Sequence, residues 1–579
     1  MNGPSSMRDV APAKWRERAE WRERFWPERL LGFAEISHAR ACTLLVLFAL
    51  ICFLPGFATL PPMDRDEPRF AQASKQMIES GDFVDIRFQD EARHKKPVGI
   101  YWLQSAAVAA ADAVGVTDAH RTIAIYRLPS LAGALAAVLL TYWAGLAFGR
   151  RREAFLAAAM MAGSIILMVE ARLAKTDAML LACSVAAMGA LARAYLARGI
   201  SVLPVATVVV FWSAMALGIL IKGPLVVMFA ALAAIALSIR ERSGHWLWAL
   251  RPGLGLLLTL IVVLPWFVAI TLKSGGGFFA QSAGHDMIGK IGTAQTQHWA
   301  PPGTYLLVFF ATFWPAAILT AIAVPFAWIN RRTDEVAFLL AWVLPSWIVF
   351  EAVPTKLPHY VMPLYPALAI LTTMAIARGF VGPNRPFAKA ATVLLPAIPL
   401  GLLLALLAAG AMFGSGVPLP ALVVTAVAIV LAAWAWREFV RGRSLGAALI
   451  GLMASAAVSV GVLGLAQPAM TAFRISPNLA AAAKTLTCPD PGYATLGYRE
   501  PSLVFLVGTD LDMLADAAEA AQFLQSGPCR MVFVERRFES DVRAAVEAWE
   551  HPPALVTRVQ GFNINGGKRL DIGVYAVQP

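Results

Sequence analysis

Apolar stretches of about 17–25 residues follow one another along most of the chain, and short joints rich in Arg, Pro or Gly separate them. An α-helix needs this length to cross about 30 Å of hydrocarbon. Candidate spans lie near residues 41–60, 126–147, 154–171, 177–197, 203–221, 224–239, 253–272, 303–329, 335–353, 358–377, 387–411, 419–436 and 445–468. The pattern therefore predicts a polytopic α-helical membrane protein with about 13 transmembrane helices.

Composition agrees with a membrane protein and argues against a soluble one. Of the 579 residues, 58% are hydrophobic and 15% are charged, whereas soluble domains carry about 25% charged residues. The net charge of +12 does not indicate a nucleic-acid-binding protein, because Lys and Arg are spread over short joints and form no separate basic domain.

The distribution of Lys and Arg predicts the orientation in a bacterial inner membrane. With the basic arm 1–40 in the cytoplasm, the joints on the cytoplasmic side carry sixteen Lys and Arg residues, and the short joints on the opposite side carry six. This orientation requires Val98–Val114 to lie in the outer interface as a helix, with Tyr101 and Trp102 at headgroup depth. The N-terminus is then cytoplasmic and the C-terminus periplasmic.

The resulting domains are the arm 1–40, a transmembrane domain 41–468 with a periplasmic first loop 61–125, and a periplasmic domain 469–579. The last of these has the pattern of a small α/β or α+β domain. Its predicted strands are Ala494–Leu496, Leu503–Val507, Arg530–Val534, Ala554–Val559 and Leu570–Val577, its predicted helices are Met513–Leu524 and Ser540–Trp549, and Gly566-Gly567 is a hairpin turn. Cys488 and Cys529 either form a disulfide there or remain two free thiols.

The first loop opens with two carboxylates, Asp66 and Glu67, at the outer end of the first span. Pro68 suits the first turn of a helix and Gly81 its C-terminal cap. The apolar residues Phe70, Ala73, Met77 and Ile78 fall on one side, which predicts an amphipathic interfacial helix. The helix dipole favours ionised carboxylates at the N-terminus. Asp66 and Glu67 therefore either take part in chemistry at the membrane surface or only cap the helix.

Cations and other polar groups gather at further joints on the same predicted face. His94-Lys95-Lys96-Pro97 precedes Tyr101-Trp102, where lysines either bind a lipid phosphate at headgroup depth or only anchor the helix. The remaining joints carry Glu170, Arg172, Lys175 and Asp177; Lys222-Gly223-Pro224; His285, Asp286 and His298; and Lys356-Leu357-Pro358-His359-Tyr360. Such convergence is what a site for a lipid-borne anionic substrate needs.

The order of these motifs resembles that of a known superfamily. The motifs are Asp66-Glu67-x-Arg69-Phe70, Lys96-Pro97 with Tyr101-Trp102, Asp177, Lys222-Gly223, His298 before Pro301, and Lys356-Leu357-Pro358-x-Tyr360. Over roughly residues 40–380 the chain is similar to the bacterial lipid A aminoarabinose transferases and their relatives in the GT-C class of glycosyltransferases, which includes the protein O-mannosyltransferases of the family 39 type. The resemblance implies a GT-C fold and transfer of a sugar from a polyprenyl-phosphate donor.

The resemblance also implies roles for individual residues. Asp66 is the expected catalytic carboxylate and Asp177 the second acidic residue, while Arg69 and Lys96 hold the carrier phosphate. The expected donor phosphate and sugar pocket is completed by Glu67, Tyr101, Lys222, His298, Lys356 and Tyr360. Relatives often have Glu immediately before the Lys-Pro pair, where this chain has Lys95, so the metal stays unassigned and a divalent cation remains an open alternative.

The expected reaction is a single inverting displacement at the anomeric carbon of a sugar on undecaprenyl phosphate or a similar carrier. The carrier phosphate supplies the activation, and the chain has no P-loop or GxGxxG motif for a nucleotide. The expected acceptor is lipid A, lipopolysaccharide or another envelope glycan. The alternatives are a protein O-glycosyltransferase of the same superfamily and, from another class, a lipid-linked sugar transporter or flippase.

Overall fold

The computed structural model describes residues 26–62, 66–199, 202–282, 299–414 and 416–577, which are mainly α-helical. The helices up to residue 458 are α1 (Trp26–Ile36), α2 (His38–Phe53), α3 (Asp66–Ser80), α4 (Gly99–Ala113), α5 (Ile123–Gly145), α6 (Arg151–Ala162), α7 (Ile165–Glu170), α8 (Asp177–Leu196), α9 (Val205–Lys222), α10 (Leu225–Glu241), α11 (Pro252–Ser274), α12 (Thr304–Thr312), α13 (Ala316–Ile329), α14 (Asp334–Ala352), α15 (Tyr365–Ala377), α16 (Leu394–Phe413), α17 (Leu419–Val440) and α18 (Ser444–Val458). A 3₁₀ segment, Pro358–Leu364, leads into α15, and a π-helix, Ser459–Ala466, continues α18.

Nine helical segments within the described ranges are long and apolar enough to cross a membrane. They are Ile123–Gly145, Asp177–Leu196, Val205–Lys222, Pro252–Ser274, Asp334–Ala352, Pro358–Ala377, Ala388–Phe413, Leu419–Val440 and Ser444–Ala469. Each coincides with a predicted span, and the multi-pass helical architecture is thereby confirmed.

The other four predicted spans coincide with short or interrupted helices. Residues 41–60 overlap α2, which is 16 residues long and ends at Phe53, two residues before Pro55. The segment 154–171 is broken between α6 and α7 at Gly163-Ser164, and 303–329 is broken before Pro315. The segment 224–239 forms α10, which has 17 residues. Apolar run length alone does not detect such breaks, because Gly, Ser and Pro interrupt a helix without lowering hydropathy much.

Helix α4 lies where an interfacial helix was predicted. Its 15 residues are too few for about 30 Å of hydrocarbon, so the structure agrees with leaving Val98–Val114 out of the spans. Trp102 is 38% exposed and its indole Nε1 donates to the carbonyl of Phe83 at 2.8 Å. Its position in a membrane interface stays a prediction.

Helix α3 is confirmed between Asp66 and Ser80, and Gly81 follows it with φ of +70°. The prediction of a one-sided amphipathic helix is wrong, because polar residues of α3 are buried as well as apolar ones. Ser74 Oγ donates to Gln104 Oε1 of α4 at 2.6 Å, and Gln72 Nε2 donates to Thr509 Oγ1 of the C-terminal domain at 2.7 Å. Burial lowers the pKa of Lys75, against the opposing effect of Glu79 at 3.6 Å. Helix α3 is therefore enclosed by protein.

The C-terminal domain contains one mixed five-stranded sheet. Its elements are helix α19 (Ile475–Ala483), strand β3 (Gly492–Leu496), helix α20 (Pro501–Val507), strand β4 (Asp512–Leu514), helix α21 (Ala517–Gln525), strand β5 (Arg530–Glu535), helix α22 (Arg536–Val546) and strands β6 (Ala554–Asn563) and β7 (Lys568–Val577); β1 (Arg87–Phe88) and β2 (Glu91–Ala92) form a small hairpin in the first loop. The strand order is β4-β3-β5-β7-β6, with β3 parallel to β4 and β5, and the others antiparallel.

Most of the predicted elements of this domain are confirmed, including the β6–β7 hairpin around Gly566-Gly567. The predicted strand Leu503–Val507 is wrong, because Pro501 starts helix α20 there. A short apolar run does not by itself distinguish a buried strand from a buried helix. The predicted helix Met513–Leu524 begins later, at Ala517, because Asp512–Leu514 pairs with β3 as an edge strand.

The C-terminal domain packs against the first loop. Gln89 Nε2 donates to the carbonyls of Thr509 and Leu511 at 3.0 and 2.8 Å, and Thr509 Oγ1 donates to Glu79 at 2.7 Å. Phe505 of α20 packs edge-on against Tyr126 of α5, with ring centroids 5.2 Å apart. We call the end of the helical bundle where α3, α4 and this domain lie the capped end.

The structure joins Cys488 and Cys529 in a disulfide, which resolves the alternative left open by the sequence. The two residues are 41 apart in the chain, so the bond removes considerable freedom from the unfolded state. We expect Cys488→Ser/Cys529→Ser to lower the free energy of unfolding of the C-terminal domain by about 3–4 kcal/mol. Thermal unfolding with and without reductant measures this, with the variant as control: a reductant effect that persists in the variant would contradict the assignment.

Candidate functional site

The N-terminus of α3 is fixed by a buried ion pair. Glu67 is fully buried, and its carboxylate accepts hydrogen bonds from Nε and Nη2 of Arg127 at 2.7 and 3.0 Å. Arg127, on α5, also donates to the carbonyls of Phe57 and Leu60 at 2.7 and 2.8 Å. The backbone N–H of Ala174 donates to Glu67 Oε1 at 3.0 Å. The end of α2, the start of α3, α5 and the segment 171–176 are thus tied together through one carboxylate.

Asp66 and Glu67 consequently occupy different environments. Asp66 is exposed, whereas Glu67 points into protein. Because both oxygens of the Glu67 carboxylate accept from Arg127 and one also accepts from Ala174, we interpret Glu67 as a positioning residue rather than the donor contact expected from the sequence. The sequence analysis did not identify Arg127 as a site residue, although a charged residue inside a predicted span often indicates a functional site.

A buried polar cluster lies at the start of α8. Glu170 and Asp177 are both buried, and the ring of His359 lies between their carboxylates, with Nδ1 at 3.4 Å from Glu170 Oε1 and Nε2 at 3.6 Å from Asp177 Oδ1. Lys175 Nζ is 3.5 Å from Glu170 Oε1, and Lys222 Nζ donates to Asp177 Oδ1. The structure therefore brings the predicted residues Asp177 and Lys222 together and adds Glu170, Lys175 and His359.

Glu170, Asp177 and His359 also have the spacing of metal ligands. One ligand atom from each lies within 4.8 Å of the others, the one such group found among the described residues. Carboxylate oxygens and an imidazole nitrogen suit several divalent cations. However, the ammonium groups of Lys175 and Lys222 already neutralise the two carboxylates, so the cluster is electrostatically balanced by the chain's own residues.

The aromatic and basic residues of the 356–360 motif adjoin this cluster. The ammonium of Lys222 is 5.7 Å from the centroid of the Tyr360 ring. Lys356 is buried, and its Nζ donates to the carbonyls of Glu351 and Val353 at 3.0 and 2.7 Å. An ammonium has three N–H donors. Two of those of Lys356 donate to backbone carbonyls, and these two hydrogen bonds fix the direction of the third N–H.

The segment after β2 supplies the basic residues of the first loop. His94 is buried and its ring pairs with Asp85 at 2.7 Å, whereas Lys95 is exposed and Lys96 half-buried. Tyr101 is fully buried and packs against Phe70 with ring centroids 5.4 Å apart. Tyr101 thus connects α4 to α3 one turn after Asp66.

Links between these parts place them at the capped end. Ala174, which donates to Glu67, is three residues before Asp177, and Ser130 of α5 donates to the carbonyl of Lys175 at 3.1 Å. Gln104 of α4 donates to the carbonyl of Ala174 at 3.1 Å. Of the predicted site residues, His298 lies outside the described residues, as do His285 and Asp286.

The fold is shared with proteins of known structure. The chain superposes on the crystal structure of ArnT from Cupriavidus metallidurans in the apo state with a TM-score of 0.72 and 18% identity, covering 92% of this chain and 97% of that one. The ArnT structure bound to undecaprenyl phosphate gives a TM-score of 0.71 over the same shares of the two chains. The fold is therefore that of the GT-C glycosyltransferases.

Sequence comparisons agree with the fold. The family model described as dolichyl-phosphate-mannose-protein mannosyltransferase matches residues 95–268. Two relatives named undecaprenyl phosphate-alpha-4-amino-4-deoxy-L-arabinose arabinosyl transferase are 27% identical: one from Aeromonas salmonicida over 56% of this chain and 58% of the relative, and one from Pseudomonas aeruginosa (strain LESB58) over 59% and 61%. The matched part is thus about three fifths of the length of these curated relatives. These partial matches and the shared fold agree with the resemblance to GT-C glycosyltransferases that the motif order indicated.

Proposed function

We propose that the protein is an inverting glycosyltransferase that moves a sugar from a polyprenyl-phosphate donor to an envelope acceptor at the capped end. The position of Asp66 is the main support for this proposal. This exposed carboxylate stands at a helix N-terminus that a buried ion pair fixes. The segment 171–176, which donates to that ion pair, leads to Asp177, the partner of Lys222. Preorganised charges of this kind act in catalysis without reorganisation during the reaction.

The proposed reaction is one displacement at the anomeric carbon. An acceptor hydroxyl oxygen forms the new bond to that carbon on the face opposite the carrier, and the bond from the carbon to the phosphate oxygen breaks. The electron pair of the broken bond goes to the phosphate, which leaves as polyprenyl phosphate. Asp66 accepts the hydroxyl proton. Because the acceptor enters opposite the leaving phosphate, the configuration of the anomeric carbon is inverted.

The leaving phosphate needs cations more than it needs a proton. Lys96 and Arg69 lie on the two first-loop segments that meet near Phe70, and Lys356 offers the N–H that the backbone carbonyls do not use. Asp177, Lys222 and Tyr360 suit hydrogen bonding to sugar hydroxyls, and their mutual pairing keeps them ordered before the donor binds. These roles accord with a carrier such as undecaprenyl phosphate.

The acceptor and the location are part of the proposal. We propose lipid A, lipopolysaccharide or another envelope glycan as the acceptor, supported by the names of the relatives that match over about three fifths of their length. We propose the inner membrane, with the N-terminus cytoplasmic and the capped end periplasmic. A protein hydroxyl is the second candidate acceptor, because the family model that matches residues 95–268 is described as a protein mannosyltransferase.

A transfer assay tests the function. Purified protein in lipid nanodiscs is supplied with undecaprenyl phosphate carrying a radiolabelled sugar, together with lipid A or an unstructured Ser/Thr-rich peptide. We expect label to move covalently to lipid A with inverted anomeric configuration. Label on the peptide would favour protein glycosylation, and intact donor that only changes leaflet in proteoliposomes would contradict the proposal and indicate a transporter.

A further inference from the structure

Arg93 is a buried cation without a counter-charge. It follows β2 and precedes α4 in the chain, is 7% exposed, and forms no ion pair within the ranges that the structure describes. Its Nε has no hydrogen-bond partner. The guanidinium carbon is 4.9 Å from the centroid of the Phe70 ring, a favourable contact that offsets only part of the cost of burying a charge. A buried cation of this kind suits a site that an anionic ligand completes.

Asp85, a carboxylate of the same loop, is already paired with other cations. Asp85 accepts from the imidazole of His94 at 2.7 Å and lies 3.3 Å from Nη1 of the exposed Arg87. Ala92 and His94, on either side of Arg93 in the chain, both line an open cavity of about 510 Å³. Arg93 is absent from that lining and contacts α3 instead. The guanidinium therefore lies against the helix whose N-terminus carries Asp66.

The Arg93 guanidinium contacts the helix that begins at Asp66. Phe70 is four residues after Asp66 in α3, so both side chains lie on one face of the helix. The ring of Phe70 contacts both the Arg93 guanidinium and Tyr101. Lys96 is three residues further along the same segment as Arg93. The cation thus contacts a residue that is one helical turn from the proposed catalytic carboxylate.

We propose that Arg93 binds the phosphate of the polyprenyl-phosphate donor, an inference that rests on the proposed function. The planar guanidinium presents parallel N–H groups, which match two phosphate oxygens in a bidentate contact. When the bond to the anomeric carbon breaks, the phosphate gains negative charge, so this contact strengthens in the transition state. Arg93 therefore contributes to donor binding and to the rate of transfer.

The test compares Arg93→Gln and Arg93→Lys with the matched control Arg87→Gln, which changes an exposed arginine of the same loop. The probes are undecaprenyl phosphate without sugar, for binding, and undecaprenyl phosphate with a labelled sugar, for transfer, both in nanodiscs. We expect Arg93→Gln to weaken binding about 10-fold or more, to raise KM and to lower kcat. Arg93→Lys should recover part of the loss, and Arg87→Gln should behave as the wild type.

Thermal unfolding separates a binding role from a structural one. Arg93→Gln should unfold at the same temperature as the wild type or higher, because no ion pair is removed. Unchanged binding of undecaprenyl phosphate by Arg93→Gln would overturn the assignment, as would a loss of folding that Arg93→Lys does not restore. A wild-type protein that binds no polyprenyl phosphate would instead overturn the proposed function itself.

Discussion

Replacing Asp66 with Asn is expected to lower kcat for sugar transfer by at least about 100-fold, the range in which general bases contribute. The amide has nearly the shape of the carboxylate but does not accept the proton of the acceptor hydroxyl. Because Asp66 is exposed and the helix start is held by Glu67, the substitution should leave the fold intact. Transfer from undecaprenyl-phosphate-linked sugar by the purified variant measures the effect, and binding of undecaprenyl phosphate should be nearly unchanged.

The matched control is Asp112→Asn. Asp112 is an exposed carboxylate at the far end of α4 in the same loop, paired with the exposed His120 at 2.7 Å. Its variant should transfer sugar at the wild-type rate. Full activity of Asp66→Asn, or an equal loss in both variants, would contradict the role assigned to Asp66.

Replacing Glu67 with Ala is expected to cost about 3–5 kcal/mol of folding free energy, because it leaves the Arg127 guanidinium buried without its counter-charge. Both side chains are at most 1% exposed, so solvent does not screen the lost interaction. The N-terminus of α3 should then lose its fixed position, and sugar transfer should fall together with stability. Thermal unfolding in detergent, combined with the transfer assay, measures both.

A double variant shows whether the isolated Arg127 charge causes the loss of stability. Glu67→Leu/Arg127→Leu should be more stable than Glu67→Ala, since no isolated buried charge remains. The exposed pair Lys484 and Asp118, with side chains 65% and 68% exposed, provides a control: Lys484→Ala should change stability by less than about 1 kcal/mol. If Glu67→Gln kept its stability but lost donor affinity, Glu67 would be a ligand contact and the positioning function would be wrong.

The broad architecture was predictable because it follows from hydrophobicity. In a membrane, long apolar segments satisfy their backbone hydrogen bonds as helices or closed barrels, and nine of the predicted spans coincide with helical segments long enough to cross. The breaks at Gly163-Ser164 and before Pro315 depend on local backbone conformation, which hydropathy does not report. The helix at Leu503–Val507 was read as a strand because five apolar residues have no distinguishing periodicity.

The sequence predicted which residues belong to the site but not which of them contact one another. The sequence indicated that Asp177, Lys222 and Lys356 belong to one region, since each lies at a joint on one predicted face. Spacing along the chain did not show that His359 lies between two carboxylates, because Glu170 and His359 are far apart in sequence. Pairing of this kind is set by helix packing.

The same limit explains the misassigned face of α3. Its polar side carries Gln72 and Lys75, which in isolation indicate exposure to water. The C-terminal domain covers that side, and its contact with Gln72 joins residues 437 positions apart. Only the tertiary structure shows that α3 is enclosed and therefore able to hold Asp66 in a fixed position.

We propose that the capped end, with Asp66, faces the periplasm. Labelling of intact cells with a membrane-impermeant maleimide, after Ser80→Cys or Ser243→Cys, tests this orientation. Both serines are exposed; Ser80 ends α3 at the capped end, and Ser243 follows α10 at the opposite end of the bundle. We expect Ser80→Cys to be labelled in intact cells and Ser243→Cys to be labelled only after permeabilisation. The reverse pattern would contradict it.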